Sequence, residues 1–327
     1  SAWHIWAILP LASVWKTAII IAGIACFLTL FLDLGRKLDT YPLPLARVLY
    51  EIGTSSVIVL LYLLMLFLVL DLGRLVHLVP KSLLCNNWQT ALGIFVLIFG
   101  IFLYGNIHYK NKVRVPLELT SAKSLPKDYK VVMASDLHLG YHNPRKELAR
   151  WVDMMNAEHP DLILIAGDII DISVRPLIEE KMAEEFRRLE TPVYACLGNH
   201  EYYSGEPQAQ QFYKDAGIHL LIDDYAVVDS ALLIIGRDDR TNMRRKPLED
   251  LVETVRDKSR YTIVLDHQPY NLDRAEKACV DFQLSGHTHH GQVWPISWIT
   301  DAIYEKSWGS HRRGNTDYYV SSGLGIW

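Results

Sequence analysis

Apolar residues are concentrated in the first third of the chain and interspersed with polar ones thereafter. Three runs, at about 17–35, 48–70 and 88–107, are nearly free of charge, and 57–70 and 94–104 are their most continuous stretches. Each reaches the roughly 20 residues that a helix needs to cross the hydrocarbon of a bilayer. Residues 3–15, with Trp3, Trp6, Leu9, Pro10, Leu11 and Trp15, read as the tail of an earlier span, and a chain opening on Ser1 reads as a fragment or a processed form. Asp33 and Asp71 each precede Leu-Gly at the end of a run and read as carboxylates at the membrane surface. Basic residues set the orientation. If the chain leaves the third span into the cytoplasm, Arg36, Lys37, Arg47, Lys110, Lys112 and Arg114 lie inside, against Lys16, Arg74 and Lys81 outside. Positive residues favour the inner side, so the C-terminal part is expected to be cytoplasmic.

Residues 113–128 are polar, contain Pro116 and Pro126, and read as a linker. The pattern then alternates between short apolar runs and amphipathic stretches. Strands are expected at 130–135, 161–166, 193–197, 218–222, 225–228, 232–235, 262–266, 282–285 and 318–321. Helices are expected at 145–158, 176–189, 208–216, 247–256 and 272–278. Such alternation points to an α/β sheet with helices on both faces. The formal net charge of −4 argues against nucleic acid as a partner. Cys26, Cys85, Cys196 and Cys279 show neither metal-site nor redox spacing, which fits a reducing compartment without a disulfide framework.

Chemistry-bearing residues recur where these strands end. Asp136 and His138 follow the first, Gly167-Asp168 the second, and Gly198-Asn199-His200-Glu201 the third. His267 follows 262–266, and Gly286-His287-Thr288-His289 follows 282–285. In open α/β sheets the carboxyl ends of strands form the ligand edge. The donors are two carboxylates, one amide oxygen and four imidazoles, with no thiolate, a set suited to Mn, Fe, Zn or similar divalent ions. Seven side chains exceed the needs of one ion with an open position, but suffice for two ions sharing a carboxylate. Such a pair can clamp the oxygens of a phosphoryl group during in-line attack.

The ordered blocks Asp136-Leu-His138, Gly167-Asp168-Ile-Ile-Asp171, Gly198-Asn199-His200-Glu201, His267 and Gly286-His287-Thr288-His289 resemble the calcineurin-like metallophosphoesterase family over about 130–325. The run from Gly286 to Pro295 and the terminal Val320-Ser-Ser-Gly-Leu-Gly325 are similar to a membrane-anchored bacterial branch, itself similar to small phosphodiesterases and UDP-2,3-diacylglucosamine pyrophosphatases. The resemblance implies a β-sandwich flanked by helices in α/β/β/α layers, here preceded by an all-α transmembrane bundle. It implies that Asp136, His138 and His289 hold one metal, that Asn199, His267 and His287 hold the other, and that Asp168 bridges them. His200 is then not a ligand but protonates the leaving oxygen or stabilises charge, oriented by Asp136 or a neighbouring carboxylate. Asp171 and Glu201 fix ligand geometry, although Asp171 reads equally well as a helix N-terminal acceptor. His290 stands where the family has a small residue and is not expected to ligate. Related chains continue beyond the Gly-Leu-Gly turn, so a C-terminal truncation is expected.

Arg175, Arg237, Arg240, Arg244, Arg245, Arg312 and Arg313 are the basic candidates for substrate contact, with Asn242 and Arg244 preferred. The aromatic stretch from Trp294 through Trp298 to Trp308 is expected either against the membrane interface or packed inside the protein. The leading expectation is a membrane-anchored phosphohydrolase of the bacterial inner membrane. It would cleave a phosphodiester or pyrophosphate bond by attack of a hydroxide held between two divalent ions, with a lipid-linked substrate as one candidate. The alternatives are a broad phosphodiesterase or phosphomonoesterase merely tethered to the membrane, and a metal-binding scaffold without catalysis.

Overall fold

The computed structural model describes residues 1–32, 34–255 and 257–326, so Asp33, the end of the helix expected at 247–256 and the final Trp327 lie outside the described residues. The chain divides into two compact units, Ser1–Pro116 and Leu117–Trp327.

The first unit is helical. A short helix α1 (Ala2–Ile8) ends before Leu9-Pro10, and α2 (Ser13–Leu28) begins three residues later. The stretch read as one span tail is therefore broken at the proline, whose ring and missing N–H interrupt a helix. Next come α3 (Leu43–Leu75) and α4 (Trp88–Lys110). Three segments, Ser13–Leu32, Leu43–Leu75 and Trp88–Lys110, are long and apolar enough to cross a membrane. Their outward faces are covered with Leu, Ile, Val and Phe, and Ile8, Phe67 and Leu84 form a buried cluster with their neighbours, while Leu38, Ala46 and Tyr50 are also buried. Polar groups near the ends are paired. Lys16 Nζ donates to Trp6 O at 2.9 Å and Asn86 Oδ1 at 3.2 Å, and His4 Nε2 lies 3.0 Å from Asp71.

The second unit holds two sheets face to face. The first comprises β1 (Val131–Ala134), β2 (Leu162–Ala166), β3 (Val193–Cys196) and β4 (His219–Leu220), all parallel and in that spatial order. The second comprises β5 (Asp224–Val228), β6 (Leu232–Gly236), β7 (Tyr261–Leu265), β8 (Phe282–Ser285), β9 (Gly309–Arg313) and β10 (Thr316–Val320). Its order is β5-β6-β7-β8-β10-β9, parallel from β6 to β10 with an antiparallel strand at each edge. Leu162, Leu164 and Cys196 from one sheet meet Ile234, Ile263, Leu265 and Leu284 from the other. Strands buried on both faces read as unbroken apolar runs, as Leu-Ile-Leu-Ile-Ala in β2 does.

Helices cover the outer faces. On the first sheet lie α5 (Arg145–Ala157), α6 (Arg175–Glu179), α7 (Met182–Phe186) and α9 (Glu206–Ala216), while α8 (Asn199–Ser204) opens directly from β3. The face of α5 is set by Leu148, Trp151, Val152 and Met155 at helical spacing. On the second sheet lie α10 (Leu248–Val255) and α11 (Asp273–Lys277). The layers are thus α/β/β/α. One expected helix, 176–189, is instead the pair α6 and α7, because Lys181 adopts a left-handed conformation at φ 53° that ends the first. Helix α12 (Ile296–Ile303) and strand β9 were not expected from the pattern, which in 286–313 is dominated by aromatic and polar residues.

Candidate functional site

The carboxyl ends of β1, β2, β3, β7 and β8 converge on one locus, so loops of both sheets supply its side chains. The backbone is bent to aim them inward. Asp136 (φ 53°), His138 (44°), Asp168 (51°), His287 (71°) and His289 (46°) all lie in the left-handed region. A non-glycine residue there costs on the order of 1–2 kcal/mol, so five together require the surrounding fold to hold them. Glycine is required where two carboxylates come close. A Cβ on Gly286 would collide with the Asp136 carboxylate, and one on Gly198 with that of Asp168.

Asp136, His138 and His289 form one group. His138 Nε2 and His289 Nε2 face each other at 3.0 Å, and Asp136 Oδ1 lies 3.3 Å from the latter and 3.8 Å from the former. Asp136 is held from behind by the Ser135 hydroxyl and by the His287 N–H at 3.0 Å. Asp168, His267 and His287 form a second group. Asp168 Oδ2 lies 3.0 Å from His267 Nε2 and 3.8 Å from His138 Nε2, and so reaches toward both groups. His287 Nδ1 stands 2.8 Å from Asn199 Oδ1, which adds the amide oxygen to the second group. His267 Nδ1 donates to the Ala166 carbonyl at 2.7 Å, so Nε2 is the ring nitrogen that faces the site, and Asp168 and Asp136 raise this imidazole's pKa in spite of its burial.

These groups fit divalent cations. His267 Nε2 is buried without an aligned hydrogen-bond partner although a carboxylate stands beside it. Two imidazole nitrogens confronting one another beside a carboxylate form a convergent donor set. Three carboxylates, Asp136, Asp168 and Asp171, are fully buried, an arrangement that is costly unless cations share the space.

Burial alone would raise the carboxyl pKa of Asp136 and Asp168. The imidazoles outweigh it: His289 and His138 hold Asp136 low, and His267 and His200 hold Asp168 low. Burial pushes His289 and His287 down to about 4, so both are neutral lone-pair donors at pH 7. His138 is raised to about 10, since Asp136 and Asp171 overcome its burial.

A third group lies beside the first. Asp171 Oδ1 stands 3.0 Å from His200 Nδ1 and 3.5 Å from His138 Nδ1. Asp171 therefore orients two imidazoles at once and is the carboxylate that orients His200. The His200 ring meets His138 edge-on, with centroids 4.5 Å apart, and keeps a side open to solvent. Its pKa is raised because Asp168 and Asp171 outweigh burial.

The calcineurin-like phosphoesterase family profile matches residues 129–291, which contain every block of this site. An uncharacterized metallophosphoesterase of Aquifex aeolicus is 32% identical over 225 residues, covering 65% of this chain and 84% of its relative. The chain belongs to this metallophosphoesterase family. An uncharacterized metallophosphoesterase of Campylobacter jejuni is 30% identical, covering 71% of this chain and 64% of the relative. A Danio rerio protein described as a transmembrane protein with metallophosphoesterase domain is 28% identical, covering 73% of this chain and 59% of the relative. This chain thus spans less than two thirds of these last two. Family membership makes the protein a phosphoesterase of the hydrolase class, joined to a membrane-type N-terminal unit.

The remaining residues around the candidate site sort as follows. Glu201 is a clamp. Its Oε2 accepts from the N–H of Gly198 at 2.7 Å and Asp168 at 3.1 Å, and its Oε1 from the Ile170 N–H and the Tyr213 hydroxyl, each at 3.0 Å. It ties the β2 loop to the start of α8. Replacing Glu201 by Ala strands four buried donors, each worth about 1–3 kcal/mol when unsatisfied, and the combined loss is expected to exceed about 3 kcal/mol. Denaturant unfolding of the detergent-solubilised protein measures it, and a loss below 1 kcal/mol would mean that water replaces the carboxylate (about one buried hydrogen bond).

Asn242 spends its side chain inside its own loop, donating to Asp238 at 2.7 Å and accepting from the Arg244 N–H at 3.0 Å, while Arg244 is exposed. Arg237 and Arg245 are bound to Asp266, Arg175 to Glu179, and Arg313 to Glu276 and Glu305. Arg240 instead lies 4.0 Å over the Tyr270 ring. Tyr270 is hydrogen-bonded at 3.0 Å to Tyr304, whose ring is 6.3 Å from His287. Sequence gave no signal for Tyr270 and Tyr304, because neither lies in a motif block. His290 turns away from the site and stacks on Trp308 at 5.3 Å.

Proposed function

We propose that the protein is a membrane-anchored phosphohydrolase with a dinuclear metal centre, cleaving a phosphodiester or pyrophosphate bond. The observation that carries this reading is the pair of donor groups with Asp168 between them. In it, Asp136, His138 and His289 hold one divalent ion, Asn199, His267 and His287 the other, and Asp168 both. Mn, Fe and Zn suit this mixed nitrogen and oxygen set. When bound, such ions supply charge for the phosphoryl oxygens and a hydroxide nucleophile at neutral pH.

The other groups act around that centre. His200, with a raised pKa and an open side, carries the proton for the leaving oxygen. Asp171 keeps that imidazole oriented through Nδ1. Glu201 and the Ser135 hydroxyl hold the loops that carry Asp168 and Asp136. Arg240, together with Tyr270 and Tyr304, forms a cationic and aromatic wall beside His287 suited to a phosphate-bearing substrate, a better-supported choice than Asn242 or Arg244. The excess of Arg and Lys on one side of the spans supports a cytoplasmic site on a bacterial inner membrane. A lipid-linked phosphate substrate is consistent with that address.

The test is turnover of a chromogenic phosphodiester, and of lipid pyrophosphates, by the detergent-solubilised full chain with Mn, Zn, Fe or Mg. Turnover that chelator abolishes and metal restores is expected. None with any of these metals would favour a scaffold without catalysis.

A further inference from the structure

Helix α12 is mostly apolar, yet it has no buried residue. Trp298 is 65% exposed, Ile299 53% and Ile303 59%, and Trp294, one turn earlier, is 55% exposed. Trp298, Ile299, Ala302 and Ile303 share one face of the helix, at spacings of three and four. The Trp294 and Trp298 rings meet edge-to-face at 5.5 Å.

The opposite side of the helix is fixed to the metal-site loop. A Cβ on Gly291 would run into the backbone at Ile296–Ser297, so the helix starts hard against the turn after His289. Asp301 accepts from the Ser307 hydroxyl and lies 3.6 Å from His290. The Thr288 hydroxyl donates to the Ser307 carbonyl at 2.5 Å, and the His290 ring stacks on Trp308. The excursion from 288 to 308 is thus a braced platform that holds an apolar face outward within a few residues of two site histidines. Trp308 belongs to the brace.

We infer that this face docks into the surface of a lipid bilayer, next to the opening of the site. A short helix with one apolar side, bearing Trp and Ile, is suited to lie in the plane of the headgroup boundary. The chain itself supplies the bilayer. The unit that carries the face begins at Leu117, and the six residues between it and the end of α4 at Lys110 extend to at most about 20 Å, so this unit is tethered close to the membrane its own helices cross. Tethering of this kind raises the effective concentration of the lipid surface over that of any free partner. The inference rests on the membrane placement proposed above and not on the chemistry of the site.

A spin-label experiment on the full chain tests it. Cys26, Cys85 and Cys279 are replaced by Ser, and Ile299→Cys or, as a reference on an exposed loop, Lys258→Cys is labelled with a nitroxide in lipid nanodiscs. Relative to the reference, the label at 299 is expected to favour collision with oxygen over a water-soluble nickel chelate by about threefold or more, as burial among acyl chains requires. Equal ratios at the two positions would overturn docking. A label at 299 shielded from both reagents, in detergent as in nanodiscs, would also overturn it by revealing a protein occupant. In parallel, the triple variant Trp298→Ser, Ile299→Ser, Ile303→Ser is expected to lose about tenfold in kcat/KM on a vesicle-embedded phosphodiester while keeping its rate on a soluble one. Equal losses on both substrates would sink the link to the site. An unmodified chain inactive on every substrate would instead overturn the catalytic reading, and the label ratios would still decide docking.

Discussion

Replacing Asp168 by Asn is expected to lower metal content from about two ions per chain to one or none, because a neutral amide cannot share its charge between two cations. Turnover of a soluble phosphodiester should fall by roughly a thousandfold or more, equivalent to about 4 kcal/mol of transition-state stabilisation. The fold should survive. An Asn side-chain oxygen can still accept the His200 N–H that Asp168 Oδ1 accepts at 2.9 Å. Elemental analysis of protein passed through a desalting column, alongside a circular dichroism melt, separates loss of metal from loss of structure. Two retained ions with near-normal turnover would show that Asp168 does not bridge.

His200→Ala is expected to act differently. In the proposed assignment its ring holds neither ion, so metal content should be unchanged while turnover falls about 10²–10⁴-fold, the range for a lost general acid. The loss should be larger for an alkyl leaving group than for nitrophenolate, which departs without a proton. Asp171 supplies a second signature. The carboxylate of Asp168 and, hydrogen-bonded to the ring, that of Asp171 favour the protonated imidazole and raise the pKa of His200 against its burial. Asp171→Asn removes the second of these, so the pKa of His200 falls and the protonated form is lost at lower pH. The alkaline limb of the kcat profile should therefore shift toward lower pH. Loss of metal in His200→Ala would mean that the ring is a ligand. An unmoved limb in Asp171→Asn would mean that the titrating acid is another group.

Local pattern made much of this architecture readable. The buried runs of β2, β6 and β7 and the amphipathic face of α5 are visible as periodicity, since a strand covered on both sides must be apolar throughout and a surface helix on one side only. The elements that escaped are those whose formation depends on distant partners. Strand β9 contains Ser310, His311, Arg312 and Arg313, and is a strand because it pairs with β10. The expected helix at 176–189 broke at Lys181, where no glycine or proline marked the break.

The site divides in the same way. Asp136, His138, Asp168, Asn199, His267, His287 and His289 were legible because each follows a strand, and strands in parallel sheets bring their carboxyl ends to one edge. Asp171 was ambiguous. In sequence it is an acid that a helix start would equally explain. Only the juxtaposition of the loops after β2 and β3 sets it between His200 and His138. Glu201 likewise acquires its four donors from three separate segments.

Sequence by itself determined that the chain carries membrane-length apolar helices ahead of an α/β phosphoesterase domain, and which residues gather at the carboxyl ends of its strands. Periodicity, span length and the order of blocks along the chain are local properties. The tertiary structure alone decided the pairings: which carboxylate orients which imidazole, which arginine is consumed by an aspartate, and which aromatic residues face outward. Those outcomes depend on contacts between segments tens to hundreds of residues apart, as between Asp136 and His289 or Arg240 and Tyr270, and they are set by how the two sheets and their loops pack together.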